Sequence, residues 1–386
     1  MPVRPVLKQS IPYFTADNAI HFRLAGTLIT LEDADGRVLE LLKLLDGRHE
    51  QDAIWQELSA RYPDVTPDDV SAAICDLDDN GLIQDASDTG DDFDAGAKER
   101  WSRNLGFFET YASLAISKYD FQRRIRDAKI AVLGIGGVGT HLVLDLVAIG
   151  FTDLRLVDFD TVELSNLNRQ VLYGERFIGQ HKVQIAADRA REFNSGIRLE
   201  TEQTKLESAD DVYRVVHDRD IVIGSADNPK LDIERWMNAG CVRSGAALIS
   251  GGVVTQRAFL STTVPGISGC IECWYVAVQE SDPTSRMVRQ DMLASQARGE
   301  RFAEDTAAFN GLVMLLAAQI AGEAVKLASR VSPPLSVGRL IEMAFHDPRP
   351  VVTETFRRRD DCAVCRDAEP AATLRWLSSD ELTLPF

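Results

Sequence analysis

The chain is poor in cysteine, with six in 386 residues. That is too few for a disulfide scaffold, and 386 residues suffice to bury a sizeable core in one to three domains. It lacks internal repeats and low-complexity stretches. Positive charge is in deficit: 42 Lys and Arg against 59 Asp and Glu give a net charge of −17. That balance speaks against nonspecific binding to nucleic acid or to an anionic membrane. No apolar run is expected to reach bilayer-spanning length. The opening MPVRPVLKQSIPYF lacks the apolar core and cleavage site of a signal peptide. These absences predict a cytoplasmic protein. With 45% hydrophobic residues, the composition is that of a globular chain.

Three stretches follow one another. Residues 1–86 read as a small α+β domain. Ile20, Phe22 and Leu24 alternate, Gly26 breaks the run, and Leu28 and Leu31 continue it, which predicts a hairpin. Val38, Leu41, Leu42 and Leu45 recur at helical spacing, with Gly47 as a stop. A second helix is expected over 51–61. Thr66 and Pro67 suit the N-cap and first position of a third, whose apolar face is Val70, Ile74 and Leu77. The set is winged-helix-like, and Cys75 is expected in its core. Residues 87–97 read as an acidic linker; eight Asp lie between 76 and 94.

Residues 98–386 read as one α/β domain. Short apolar strands are expected at 130–133, 154–157 and 221–223, with helical stretches between them and later strands at 247–252 and 257–262. That alternation predicts a Rossmann-like, doubly wound sheet.

The most informative residues lie in 134–182. Gly134-Ile135-Gly136-Gly137-Val138-Gly139 follows an expected strand and precedes a helix expected over 141–149. Glycines there let the backbone approach a phosphate, which the helix N-terminus attracts. Asp158 comes 22 positions after Gly136 at a strand end, where a carboxylate can accept from both ribose hydroxyls. That much fits NAD equally well. Asp160, two positions on, is a further cofactor-binding candidate; Asn166, Arg169, Gln170 and Lys182 separate the two readings, since hydride transfer has no use for them. Cleaving ATP between its α- and β-phosphates needs cations where pyrophosphate charge builds, and Arg169 and Lys182 supply them. Magnesium needs a carboxylate; Asp227, followed by Asn228 in Ser225-Ala226-Asp227-Asn228, comes just after the strand at 221–223.

Cys270-Ile271-Glu272-Cys273 and Cys362-Ala363-Val364-Cys365 form two C-x-x-C pairs with 88 residues between them. In a reducing compartment they predict a closed four-thiolate zinc site with no open catalytic position. Cys241 is expected to be buried.

On GIGGVG, DFDTVELSNLNRQ, Lys182 and SADN, the stretch from about 98 to 365 resembles the ubiquitin-activating-enzyme-like (ThiF/MoeB/HesA) adenylyltransferase superfamily. The resemblance implies that Asp158 holds the ribose, that Asn166, Arg169 and Lys182 hold phosphates, and that Asp227 binds magnesium. It also implies a two-fold homodimer in which Arg103, of Arg100-Trp101-Ser102-Arg103-Asn104-Leu105, reaches into the partner's ATP site. Relatives that form thioesters or persulfides place a cysteine where this chain, between 274 and 361, has none. An acyl-adenylate, or a product made from it, is therefore the expected outcome. Residues 274–305, with Arg286, Arg289, Arg298 and Arg301, read as a loop that covers a substrate tail or as a solvated linker.

Residues 20–86, through LLDGRHEQDAIWQEL and DDVSAAICDLDDNGLI, resemble the peptide clamps of enzymes that modify ribosomal peptides. Such modules bind a leader peptide as an added strand or in a groove. Together the two parts resemble the peptide-adenylylating enzymes of microcin-C-type pathways. The resemblance implies ATP-dependent activation of a peptide's carboxyl terminus. The alternatives are adenylylation of a ubiquitin-like sulfur carrier and a noncatalytic leader-peptide scaffold.

Overall fold

Contacts divide the chain into two units, Met1–Arg124 and Ile125–Phe386. The structure, a computed structural model, describes residues 3–377 except 25, 231 and 299–306.

In the first unit, β1 (Pro5–Leu7) pairs antiparallel with β5 (Ile83–Asp85). A separate antiparallel sheet runs β2 (Tyr13–Ala16), β3 (Ala19–Leu24), β4 (Thr27–Glu32). Asp17 and Asn18, both at positive φ, make the tight turn that joins β2 to β3. Helices α1 (Arg37–Leu44), α2 (Gln51–Arg61) and α3 (Pro67–Asp79) follow β4. Thr66 caps α3: its hydroxyl accepts from Asp69 N–H, and the Asp69 carboxylate accepts from Thr66 N–H. Ile20, Phe22, Leu42, Ile54, Ile74 and Ile83 belong to one buried cluster. Cys75 is not part of it. The apolar stripe of α3 is Val70, Ile74 and Leu77, and Cys75 is turned from that stripe to solvent.

The unit extends past the acidic stretch to α4 (Ala95–Arg100), α5 (Ser102–Glu109) and most of α6 (Lys118–Asp127). Glu109 explains why. Its carboxylate accepts from Ser10 N–H at 3.1 Å, Gln84 at 2.9 Å and Lys118 at 2.9 Å. Residues 87–97 are tied down as well, since Arg123 donates to both carboxylate oxygens of Asp88 at 2.6 and 2.8 Å.

The second unit is an eight-stranded sheet in the order β13-β12-β11-β10-β9-β6-β7-β8. Its strands are β6 (Lys129–Leu133), β7 (Asp153–Val157), β8 (Arg198–Glu202), β9 (Ile221–Gly224), β10 (Ala247–Val254), β11 (Arg257–Thr263), β12 (Arg339–Ala344) and β13 (Asp347–Thr355). From β10 to β8 the pairing is parallel; β11, β12 and β13 add on antiparallel. The connecting helices are α7 (Gly137–Ile149), α8 (Lys182–Phe193), α9 (Ala209–Val216), α10 (Ile233–Ser244), α11 (Ile271–Ser281), α12 (Pro283–Ala297) and α13 (Asn310–Ser329). Chain order reverses between β6 and β9, where Leu133 pairs with Gly224. Ligands of open α/β sheets bind at such a reversal, beyond the carboxyl ends of the strands.

Two expectations are corrected. Residues 271–281 and 283–297 are helical, in α11 and α12, rather than a loop; residues 299–305, including Arg301, lie outside the described residues. Among the described residues one helix, α13, is long and apolar enough to cross a membrane by length and composition. It serves as a core helix: Leu316, Ala317, Ile320 and Ala324 are fully buried, and Ile320 and Leu316 lie against Gly251 of β10.

Candidate functional site

The site forms where β6 ends. Gly134 has φ +92°, and a Cβ there would lie 2.6 Å from the backbone nitrogen of Ala226. Only glycine allows the loop after β6 to press against the loop after β9 in this way. A Cβ at Gly139 would overlap the Gly134 carbonyl. Gly136 and Gly137 complete the turn into α7, whose first amides have no partner within the helix.

Asp158 directly follows β7 and is only 8% exposed. One carboxylate oxygen accepts from Ile135 N–H at 2.6 Å and the other from Asp160 N–H at 2.8 Å. The carboxylate thus fastens the glycine loop while each oxygen keeps acceptor capacity for a ribose hydroxyl. Burial pushes its carboxyl above the ordinary value, partly offset by those two amides. Lys182, at the start of α8, places its ammonium 2.8 Å from Asp160.

The short helical turn Leu164–Asn166 arranges the next residues. Asn166 is buried and its side-chain oxygen accepts from Glu163 N–H at 3.1 Å. Arg169 donates to Ser165 O at 3.2 Å and Asn168 at 2.9 Å. A Cβ at Gly137 would lie 3.5 Å from its Cγ. Gln170 is 3% exposed, and its Oε1 has no partner. A buried unpaired acceptor beside the glycine loop fits a ligand with donors, since such a group is costly when left unmet. Asp227 and Asn228 are exposed at the carboxyl edge of β9, joined by a 3.0 Å bond from the Asn228 amide. One free carboxylate edge suits magnesium, which takes few protein ligands and the rest from phosphates and water.

Arg103 is exposed on α5, which belongs to the first unit. Two residues that the sequence reading passed over brace the loop. The Ser225 hydroxyl donates to Gly134 O at 2.7 Å, and Tyr173 OH donates to Ile135 O at 2.9 Å. Burial, with the charges of Asp158 and Asp160, pushes the Tyr173 phenol up, so it stays a donor. Neither carries a pattern signal; both act through contacts across the crevice.

Cys270, Cys273, Cys362 and Cys365 are all buried, with their sulfurs within 4.8 Å of one another. Sulfur separations of 3.9, 3.8 and 3.4 Å match the roughly 3.8 Å edge of a tetrahedron with Zn–S near 2.3 Å. The donor set fits zinc. Cys241 is buried in a neighbouring cluster.

A doubly wound sheet with this loop, buried carboxylate and cation pair defines a nucleotide-binding α/β protein. Residues 109–364 match the ThiF family, and the chain belongs to that family. It is 29% identical over 247 residues to the "Adenylyltransferase and sulfurtransferase MOCS3" of Arabidopsis thaliana, a match covering 64% of this chain and 49% of that protein. The chain thus spans about half the length of that curated relative. The "Sulfur carrier protein ThiS adenylyltransferase" of Escherichia coli is also 29% identical, over 248 residues, covering 64% of this chain and 89% of that one. The fold is shared with Escherichia coli MccB, solved with ATP (TM-score 0.70) and with AMPCPP and MccA (TM-score 0.71). Each match is 23% identical and covers 94% of this chain and 99% of that one.

Proposed function

We propose that this protein uses ATP to adenylylate the carboxyl terminus of a ribosomally made precursor peptide. The carrying observation is the crevice itself: Asp158 locks the glycine loop beside Arg169 and Lys182 at the sheet's reversal point. A peptide carboxylate oxygen attacks the α-phosphorus, the bond to the bridging oxygen of the β-phosphate breaks, and pyrophosphate leaves. Asp158 holds the ribose, the free Oε1 of Gln170 accepts from a donor of the nucleotide, and Asn166 and the amides from Gly136 and Gly137 cradle phosphates. Arg169 and Lys182 meet the charge that grows on pyrophosphate. Asp227, steadied by Asn228, would hold a magnesium ion that screens the triphosphate. Four thiolates would hold a structural zinc, which suits a reducing, cytoplasmic setting. A two-fold homodimer would bring Arg103 of one subunit to the other's nucleotide.

A peptide substrate is supported by likeness to MccB along nearly the whole chain, in a fold also seen with MccA bound. The small sheet of the first unit, with β2 as an exposed edge, suits capture of an extended peptide. Adenylylation of a ubiquitin-like sulfur carrier is the second reading, favoured by the higher identity to the ThiS adenylyltransferase. A noncatalytic scaffold would have no use for two cations beside the glycine loop.

Product analysis tests this reading. Peptide-dependent AMP or peptidyl-nucleotide with pyrophosphate, lost in Asp227→Ala, supports it; ADP with phosphate sinks it. A response to a Gly-Gly-ended carrier alone selects the second reading.

A further inference from the structure

One helical turn joins the nucleotide crevice to an exposed apolar surface. Val313, in the first turn of α13, backs the glycine loop: a Cβ at Gly137 would lie 3.3 Å from its Cγ1. The same turn carries Phe309, its capping residue, and Met314 to solvent, 57% and 50% exposed. Phe345, in the turn between β12 and β13, meets Phe309 edge-on with ring centroids 5.4 Å apart. It is 60% exposed itself. Phe345 N–H donates to Gln256 O at 2.9 Å, which ties this turn to the one between β10 and β11. Because β10 runs parallel to β9 and β6, both turns lie at the carboxyl edge of the sheet, the edge that also carries Gly134 and Asp227.

Single exposed apolar side chains are ordinary, but three converging beside a ligand crevice mark a contact surface. Its chemistry is restricted. Residues 307–322 contain no Asp, Glu, Lys or Arg, in a chain of net charge −17. At its margin, His141 Nε2 hydrogen-bonds Asn310 Oδ1 at 3.0 Å and pins the start of α13 to α7. A charged side chain laid against residues 307–314 would lose water and gain no ionic partner from that turn; the charges nearest Phe345, Asp347 and Arg349, already pair with each other.

Resting on the peptide-adenylylation reading, we infer that the first turn of α13, with Phe345, is a specificity wall for the substrate's carboxyl-terminal segment. It takes uncharged, apolar side chains just before the reacting carboxyl group. That carboxyl group reacts beside Gly137, on the other side of Val313. Each preceding residue extends the chain by up to about 3.5 Å, so the last few fall across this turn.

The test is ATP–pyrophosphate exchange with synthetic peptides of one sequence that differ only in the residues before the terminal one: Leu and Phe, Ser, or Lys and Asp. Wild-type protein should favour the apolar set. Phe345→Ser and Phe309→Ser should each raise KM for that set about tenfold, leaving ATP affinity and KM for the Ser peptide unchanged. Variants that keep the wild-type ranking overturn the inference. So does loss of dimer mass in sedimentation with the ranking intact, which would assign the surface to a second copy of the chain. Exchange with no peptide at all, while ATP still binds to the wild type, sinks the peptide reading and this inference with it.

Discussion

The ammonium of Lys182 lies 2.8 Å from the carboxylate of Asp160, and the lysine side chain is only 7% exposed. The Lys182 backbone N–H also donates to Asp160 O, at 3.0 Å. One residue therefore fixes both the start of α8 and the head of its first side chain. In the proposed reaction the cation is thus in place before the phosphates arrive, so little reorganisation would be left for the chemical step.

Removing either partner should have separable effects. Lys182→Ala should lower substrate-dependent ATP–pyrophosphate exchange by about 100-fold or more with the fold intact. Asp160→Ala leaves the lysine charge poorly solvated and should cost about 1 to 2 kcal/mol in denaturant unfolding. That is less than for a fully buried pair, because Asp160 is half exposed. Equal loss of stability in both variants would show the pair to be structural only.

Asp158 predicts two opposite pH effects. Its folded pKa is raised above 3.8 by burial, so the folded protein prefers the protonated form. The stability this contributes is complete below 3.8 and lost as pH rises through the raised value. Nucleotide affinity should move the other way and fall as pH drops into that window, because a protonated carboxyl has fewer acceptor sites. Calorimetric ATP binding from neutral to mildly acidic pH checks this. Asp158→Asn should bind about tenfold more weakly with a flat pH profile, and a flat wild-type profile would remove Asp158 from the nucleotide contacts.

The thiols predict a modification pattern. Cys75 is the one exposed cysteine, and the other five are buried. Native protein should take up a single alkyl group and contain one zinc per chain. Stripping the metal with a chelator should lower Tm and expose the four clustered thiols to reagent. Rapid alkylation of Cys270 or Cys365 in untreated protein would rule out a closed metal site.

Acid should loosen the first unit through Asp88. Hydrogen bonds from Arg123 hold its carboxyl well below the usual 3.8. The stability from this pair is present above that value and lost as pH falls below it through the depressed pKa. Arg123→Ala should cost about 1 to 2 kcal/mol near neutral pH, with the difference from wild type shrinking in strong acid. Urea unfolding followed by Trp fluorescence at both pH values measures it.

Much of the site was legible because it is local. The loop from Gly134 to Gly139 is a strand-to-helix connection, and its spacing to Asp158 spans one βαβ step. Asp227 was legible from its place just after an apolar strand. Other features carried no such signal. Strand β8 is an edge strand bearing Arg198, Glu200 and Glu202, so apolar alternation never marked it. Helix α12, with its polar residues Thr284, Ser285, Arg286, Arg289, Gln290 and Asp291, looked like loop.

The sequence by itself determined the chemistry available: glycines where a phosphate needs backbone, a carboxylate and two cations in order, and two thiol pairs. Those depend on residue type and short spacing, which local backbone geometry turns directly into position. Tertiary structure alone decided what meets what across long separations. It brought Cys362 to within 3.8 Å of Cys270, 92 residues away. It turned Cys75 to solvent, set Ser225 and Tyr173 behind the glycine loop, and laid the first turn of α13 beside Gly137. These contacts come from how sheet and helices pack, and packing is a property of the whole unit that no short stretch of sequence encodes.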